Sequence, residues 1–142
     1  MSAADDRDQI RDLLAEYCFL LDGYQLRDFA ALFSAQGEWL SRNGNAKGPA
    51  AIERLLGEIV PVPADGTRRK HFTANIRIRL AGDTAEVMSN FMVVRESPQG
   101  PVIAVAGRYE DSVLRAGERW LFQSRRLHHD ITGESGLMTP PG

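Results

Sequence analysis

His71 stands near the start of RRKHFTANIRIRL (68–80), and Asp22 closes the run YCFLLD (17–22). A carboxylate that accepts the Nδ1–H of a histidine fixes its tautomer and raises the basicity of Nε2. The imidazole is then a general base, suited to taking a proton from carbon beside an activating or leaving group. Asp22 falls in the last turn of an expected helix, where the macrodipole disfavours negative charge by a few tenths to about 1 kcal/mol. It is either the first half of an Asp22-Gly23 turn or a carboxylate kept there to orient an imidazole. Tyr17, midway along the apolar face of the same helix, is either a core residue with a satisfied hydroxyl or a hydrogen-bond donor aimed into a pocket.

Other chemistry has little to work with. The chain contains no G-x-G-x-x-G, Walker, G-x-S-x-G or H-E-x-x-H motif. The H-H-D run at 128–130 is a weak metal candidate, because neighbours on a strand point to opposite faces. A single cysteine, Cys18, allows no intramolecular disulfide and lies in an apolar helical pattern, as a small buried hydrophobe would. A site here is expected to use side chains alone, with no metal and no cofactor. Trp39, Tyr24, Met88, Asn90, Phe91 and Met92 are candidates for the wall of an apolar substrate pocket, alongside plain core roles for the Trp, Phe and Met side chains.

The elements that must position these groups follow from periodicity. Residues 6–22 place Ile10, Leu13, Leu14, Tyr17, Leu20 and Leu21 at helical spacing, and Gly23 ends the helix. A short helix over 26–33, a brief strand over 37–40 and a third helix begun by Pro49 and closed by Pro61 and Pro63 come next. Strands over 69–80, 84–96, 101–115 and 119–130, joined by Gly/Pro/Asp turns, predict an antiparallel meander. Helices first and strands afterwards give one α+β domain over 1–142, with a core at 5–130 and an irregular tail at 131–142. On the first long strand, Phe72, Ala74, Ile76, Ile78 and Leu80 alternate with His71, Thr73, Asn75, Arg77 and Arg79. The set containing His71 is expected to face the pocket; otherwise a bulge near 71–73 must re-aim the histidine.

Composition narrows the partners. Seventeen basic and nineteen acidic residues leave a net charge of -2, which gives no support to a nucleic-acid or membrane partner. The acidic start MSAADDRDQ has no signal-peptide core, and a cytoplasmic location is expected.

Taken in order, YCFLLDGY, a short helix ending LF, KHFTANIRI, GRYED and WLFQSRR resemble the SnoaL-like family of the nuclear transport factor 2-like superfamily, across about residues 5–130. Its members include scytalone dehydratase, hexachlorocyclohexane dehydrochlorinase, bile acid 7α-dehydratase, ketosteroid isomerases and polyketide cyclases. The resemblance implies a cone-shaped curved sheet with three N-terminal helices enclosing a deep apolar pocket. It implies a catalytic pair at Asp22 and His71, a tyrosine at Tyr17, and a charge-stabilising arginine at Arg125 or Arg126. It also implies a homodimer or homotrimer formed through the outer face of the sheet. The implied activity is a cofactor-free lyase, dehydratase or isomerase acting on a small apolar cyclic molecule. The alternative is a non-catalytic ligand-binding protein or the small structural subunit of an aromatic-ring dioxygenase.

Overall fold

A computed structural model describes residues 2–132. Helix α1 spans Ala3–Asp22, α2 Leu26–Ala30 and α3 Pro49–Ile59, and the strands are β1 Phe33–Ser41, β2 Gly44–Lys47, β3 Arg69–Ala81, β4 Thr84–Arg95, β5 Val102–Ala116 and β6 Arg119–Thr132. Helix α1 starts three residues earlier than its apolar periodicity suggests, because Ser2 and Asp5 form a capping box that satisfies the first free N–H groups. Helix α2 stops short of Phe33, which instead opens β1. Ile131 and Thr132, expected in an irregular tail, continue β6; the rest of that tail lies outside the described residues.

The six strands form one curved, unclosed sheet in the order β2-β1-β6-β5-β4-β3. Strands β3 to β6 make the expected antiparallel meander, whereas β1 runs parallel to β6. Register shifts break the ladders between Ala74 and Arg77, between Val93 and Val94, and twice between β5 and β6. Such bulges bend a strand and tighten its twist, which curls the sheet around its concave face. The core fills that concavity: Ile10, Leu14 and Tyr17 of α1 and Ile52 and Leu56 of α3 pack on Val87, Phe91, Val113 and Phe122.

Strand β3 is an edge, and α1 runs antiparallel to it with three tethers. Arg7 Nη1 donates to the Ile78 carbonyl at 2.9 Å, Cys18 Sγ lies 3.3 Å from Thr73 Oγ1, and Asp22 reaches His71. The lengths agree: fifteen helical steps from Arg7 to Asp22, and seven strand steps from His71 to Ile78, each cover about 23 Å.

The alternation along β3 is not continuous. Asn75 adopts φ 55°, and the ladder skips at that point. His71 and Thr73 point inward before the bulge; Ile76, Ile78 and Leu80 point inward after it, while Phe72 and Ala74 are exposed. The expectation that Phe72 shares a face with Ile78, or Asn75 with His71, is therefore corrected. The bulge falls at residue 75, leaving the histidine on the cavity side without re-aiming.

Candidate active site

Asp22 and His71 meet where the end of α1 crosses the start of β3. His71 Nδ1 lies 2.6 Å from Asp22 Oδ1, and the same carboxylate accepts the His71 backbone N–H at 2.9 and 3.2 Å. An ionised carboxylate only accepts, so this contact places a proton on Nδ1, and in the neutral imidazole Nε2 then carries the lone pair. The side chains are 11% and 18% exposed, so water competes weakly for this contact. The unfavourable position of Asp22 at a helix C-terminus is offset here. Its dipole cost of up to about 1 kcal/mol is set against hydrogen bonds to a charged acceptor, each contributing about 1.5–3 kcal/mol. The backbone contact also satisfies an edge N–H of β3.

His71 lines a cavity of about 220 Å³ between the concave sheet and the helices. Its apolar wall includes Leu21, Trp39, Leu56, Ile59, Phe91 and Val93. Tyr17 is fully buried on the same wall, and its hydroxyl accepts the Trp39 Nε1–H at 2.9 Å. Indole nitrogen can only donate, so the phenol proton stays free for a further partner. Burial pushes the Tyr17 phenol above its ordinary range, against the opposing pull of the Arg125 charge and the Trp39 hydrogen bond. It is held as a neutral donor, which suits an oxygen that gains negative charge.

Arg125 and Arg126 are separated by a second break in alternation. Phe122 pairs with Val113 and Ser124 with Ser112, which leaves Gln123 as an extra residue. Trp120 and Phe122 face inward before it, and Arg125, Leu127 and His129 after it. Arg125 is completely buried, with Nε and Nη2 each donating to the Asp111 carboxylate at 2.8 Å. Its guanidinium lies 3.6 Å from the Tyr109 ring centroid and 4.2 Å from that of Tyr17. It therefore sits behind the cavity wall rather than on it, and Arg126 is exposed.

Four further candidates are not brought to the cavity. Strand β4 turns Ser89, Phe91 and Val93 inward, so Asn90 and Met92 are exposed on the outer face and Met88 points the same way; Asn90 donates to Asn75 there. Adjacent strand residues cannot share a face, and of the candidates Met88, Asn90, Phe91 and Met92 only Phe91 reaches the cavity. Tyr24, at φ 56° just past α1, is off the cavity wall. The two histidines of H-H-D divide: His128 Nε2 lies 2.8 Å from Glu110 Oε1, and His129 faces the cavity with its ring edge-on to Phe91.

The sequence reading missed Tyr109, His129, Arg69 and Arg42 as lining residues. Arg69 was accessible through parity, two residues before His71 on the same strand. His129 depended on the bulge at Gln123, and Arg42, in the β1–β2 turn, carried no periodic signal. Gly107 permits a close approach beside Phe91: a Cβ there would collide with the His128 carbonyl oxygen and lie 2.9 Å from Phe91.

A model of the SnoaL-like domain matches residues 2–126. An NTF2-like protein with a cystatin-like fold from Novosphingobium aromaticivorans superposes with a TM-score of 0.80 at 25% identity, covering 89% of this chain and 83% of that one. A candidate scytalone dehydratase from the same organism gives 0.78 at 24% identity, covering 91% and 87%. A Catenulispora acidiphila protein, solved in complex with S-DNPA, gives 0.80 at 21% identity, covering 89% and 95%. No curated protein is similar enough to the chain to count as a match. Among the described residues, no helix is long and apolar enough to cross a membrane.

Proposed function

The chain belongs to the SnoaL-like domain family, and from that premise we propose that it is a lyase of the dehydratase type, or an isomerase, that works by proton abstraction from a small apolar cyclic substrate. The observation that carries this reading is the 2.6 Å contact from Asp22 to His71 Nδ1, which leaves Nε2 as the basic nitrogen of a residue lining an apolar cavity. The size of the cavity favours one or two rings: a void of about 150 Å³ holds benzene, whereas a four-ring skeleton would overfill 220 Å³.

In the elimination, Nε2 takes the proton from carbon and the C–H electron pair becomes the new π bond. The neighbouring hydroxyl leaves with a returned proton as water. In the isomerisation, the same pair forms an enolate, and the proton is delivered to a different carbon. Asp22 balances the imidazolium charge in both cases, and Tyr17 O–H donates to the oxygen on which negative charge builds. A positioned base of this kind is worth about 10²–10⁴-fold, and exclusion of water strengthens its electrostatics.

The test is hydrogen–deuterium exchange. In D₂O, cyclic keto compounds should acquire deuterium at the activated carbon, and cyclic hydroxy ketones should lose water, with wild type but not with His71→Ala. Failure of wild type to exchange or dehydrate any member of such a panel would sink the reading.

The protein is further read as a cytoplasmic homodimer or homotrimer. Across the outer face, Phe72, Met92, Ala106 and Ile131 are register partners in one row, and the three large side chains are 47%, 37% and 62% exposed. Light scattering that finds a single-chain mass at micromolar concentration would refute the assembly.

A further inference from the structure

Besides its tyrosines, the ionisable groups that line the cavity are all basic. Arg42, Arg69, His71 and His129 line it, and no aspartate or glutamate does. This stands out in a chain with more acidic than basic residues. Most arginines anchored elsewhere have a carboxylate: Arg68 has Glu96, Arg108 has Asp130, Arg115 has Asp6 and Asp83, and Arg125 has Asp111. Arg42 and Arg69 have no ion-pair or hydrogen-bond partner among the described residues. Several other arginines are also unpaired, but these two alone of that group border the cavity. Two unpaired guanidinium groups facing one concave mouth repel each other, and low-dielectric walls concentrate their field. An anion relieves the repulsion, and a planar carboxylate matches the guanidinium fork.

We propose that the ligand of this cavity is a small ring carboxylate, its anionic group held at the mouth by Arg42 and Arg69 and its ring buried against Trp39, Leu56 and Phe91. The proposal rests on the reading of this cavity as the substrate site and adds the substrate class. The spacing supports it. Arg69 and His71 are two residues apart on one face of β3, so their side chains leave the strand about 7 Å from each other. That is close to the reach from a carboxylate across one ring, which brings a ring carbon near Nε2 while the acid is held. The β1–β2 turn supplies Arg42 from the other side of the mouth.

The probes are 2-naphthoate and its neutral counterpart 2-naphthamide, titrated calorimetrically into wild type and Arg42→Gln/Arg69→Gln at low and high salt. Both arginines are on the surface side of the site, so the double variant should keep the wild-type circular dichroism and melting curve. Wild type should bind the acid roughly tenfold or more tightly than the amide, as expected for charge-assisted hydrogen bonds. The double variant should lose that preference while keeping its amide affinity, and salt should erode the preference in wild type alone. Equal affinity for acid and amide in wild type, a preference that survives in the double variant, or no binding of either probe would each overturn the proposal. The deuterium exchange of His71→Ala reports on the base independently, so failure of one assignment is distinguishable from failure of the other.

Discussion

Arg125–Asp111 and His71–Asp22 are both contacts from a side-chain nitrogen to a carboxylate inside the same curved sheet, and they differ in what is left over. Arg125 is entirely buried, paired through two 2.8 Å hydrogen bonds, and sandwiched by Tyr17, Tyr109 and Phe122. Although burial opposes its charge, Asp111 holds the guanidinium firmly protonated. His71 is tied by one nitrogen only and borders an open cavity with the other side of its ring. The first pair is sealed on every side but one nitrogen, and its work is to hold β5, β6 and the aromatic wall together. The second is fixed in orientation yet incompletely used, the condition a catalytic base requires. Charge burial by itself is therefore not what singles out the proposed site; an oriented group with unspent bonding capacity beside a cavity is.

The largest expected effect is on the open pair. His71→Ala should abolish turnover, since no other group replaces the proton acceptor, and its melting curve should remain close to that of wild type. Asp22→Asn keeps the shape but no longer stabilises the Nδ1–H tautomer and its imidazolium, and should lower kcat about 10²–10⁴-fold. Steady-state rates for both variants check these. A His71→Ala protein with full activity would remove the basis of the contrast.

The sealed pair should fail in the opposite way. Arg125→Met leaves Asp111 buried without its partner, and loss of one member of such a pair typically costs about 3–5 kcal/mol. For a chain of this size that lowers Tm by roughly 10 °C, readable by calorimetry. The double change Arg125→Met/Asp111→Leu should recover most of the loss, because well-packed apolar replacements avoid the desolvation cost of both charges. Equal melting of Arg125→Met and wild type would show that the pair is not structural.

Tyr17 touches both regions and sharpens the boundary between them. Tyr17→Phe removes the donor while keeping the ring on Arg125, and should cost about 10²-fold in kcat with a smaller effect on stability. The smallest effect is on the pH profile. With the phenol pushed above its ordinary value, the neutral donor form persists through the alkaline range. The rate should show no descending limb from Tyr17 below about pH 10. A phenol-dependent loss near pH 8 would contradict the sealed environment assigned to it.

Much of this was legible in the chain. The helical spacing of Ile10, Leu14 and Tyr17, the turn glycines and the long alternating strands determined an α+β fold with a meander. They do so because amphipathic periodicity reflects which face must leave water. The odd positions of Asp22 and His71 marked them as worth joining, since each is a polar residue at the border of an apolar face. Parity failed where the backbone departed from it. Local alternation is a property of one strand, whereas a bulge is decided by pairing with the neighbour. The extra residues at Asn75 and Gln123 therefore set which of Phe72 or Ile78, and which of Arg125 or Arg126, faces inward. Along β4 plain alternation holds up to Val93, and it alone places Phe91 on the cavity side and Met88, Asn90 and Met92 on the outer face. Periodicity and composition determined the architecture, while the residues left Asp22 open between a turn and an orienting carboxylate, and the pairing with His71 was what the family resemblance implied. Tertiary structure alone decided the 2.6 Å contact across 49 residues, the sealing of Arg125 behind Tyr17, and the placing of Arg42 and Arg69 on one cavity. Those depend on how a curved sheet brings distant segments together, and no local pattern encodes that curvature.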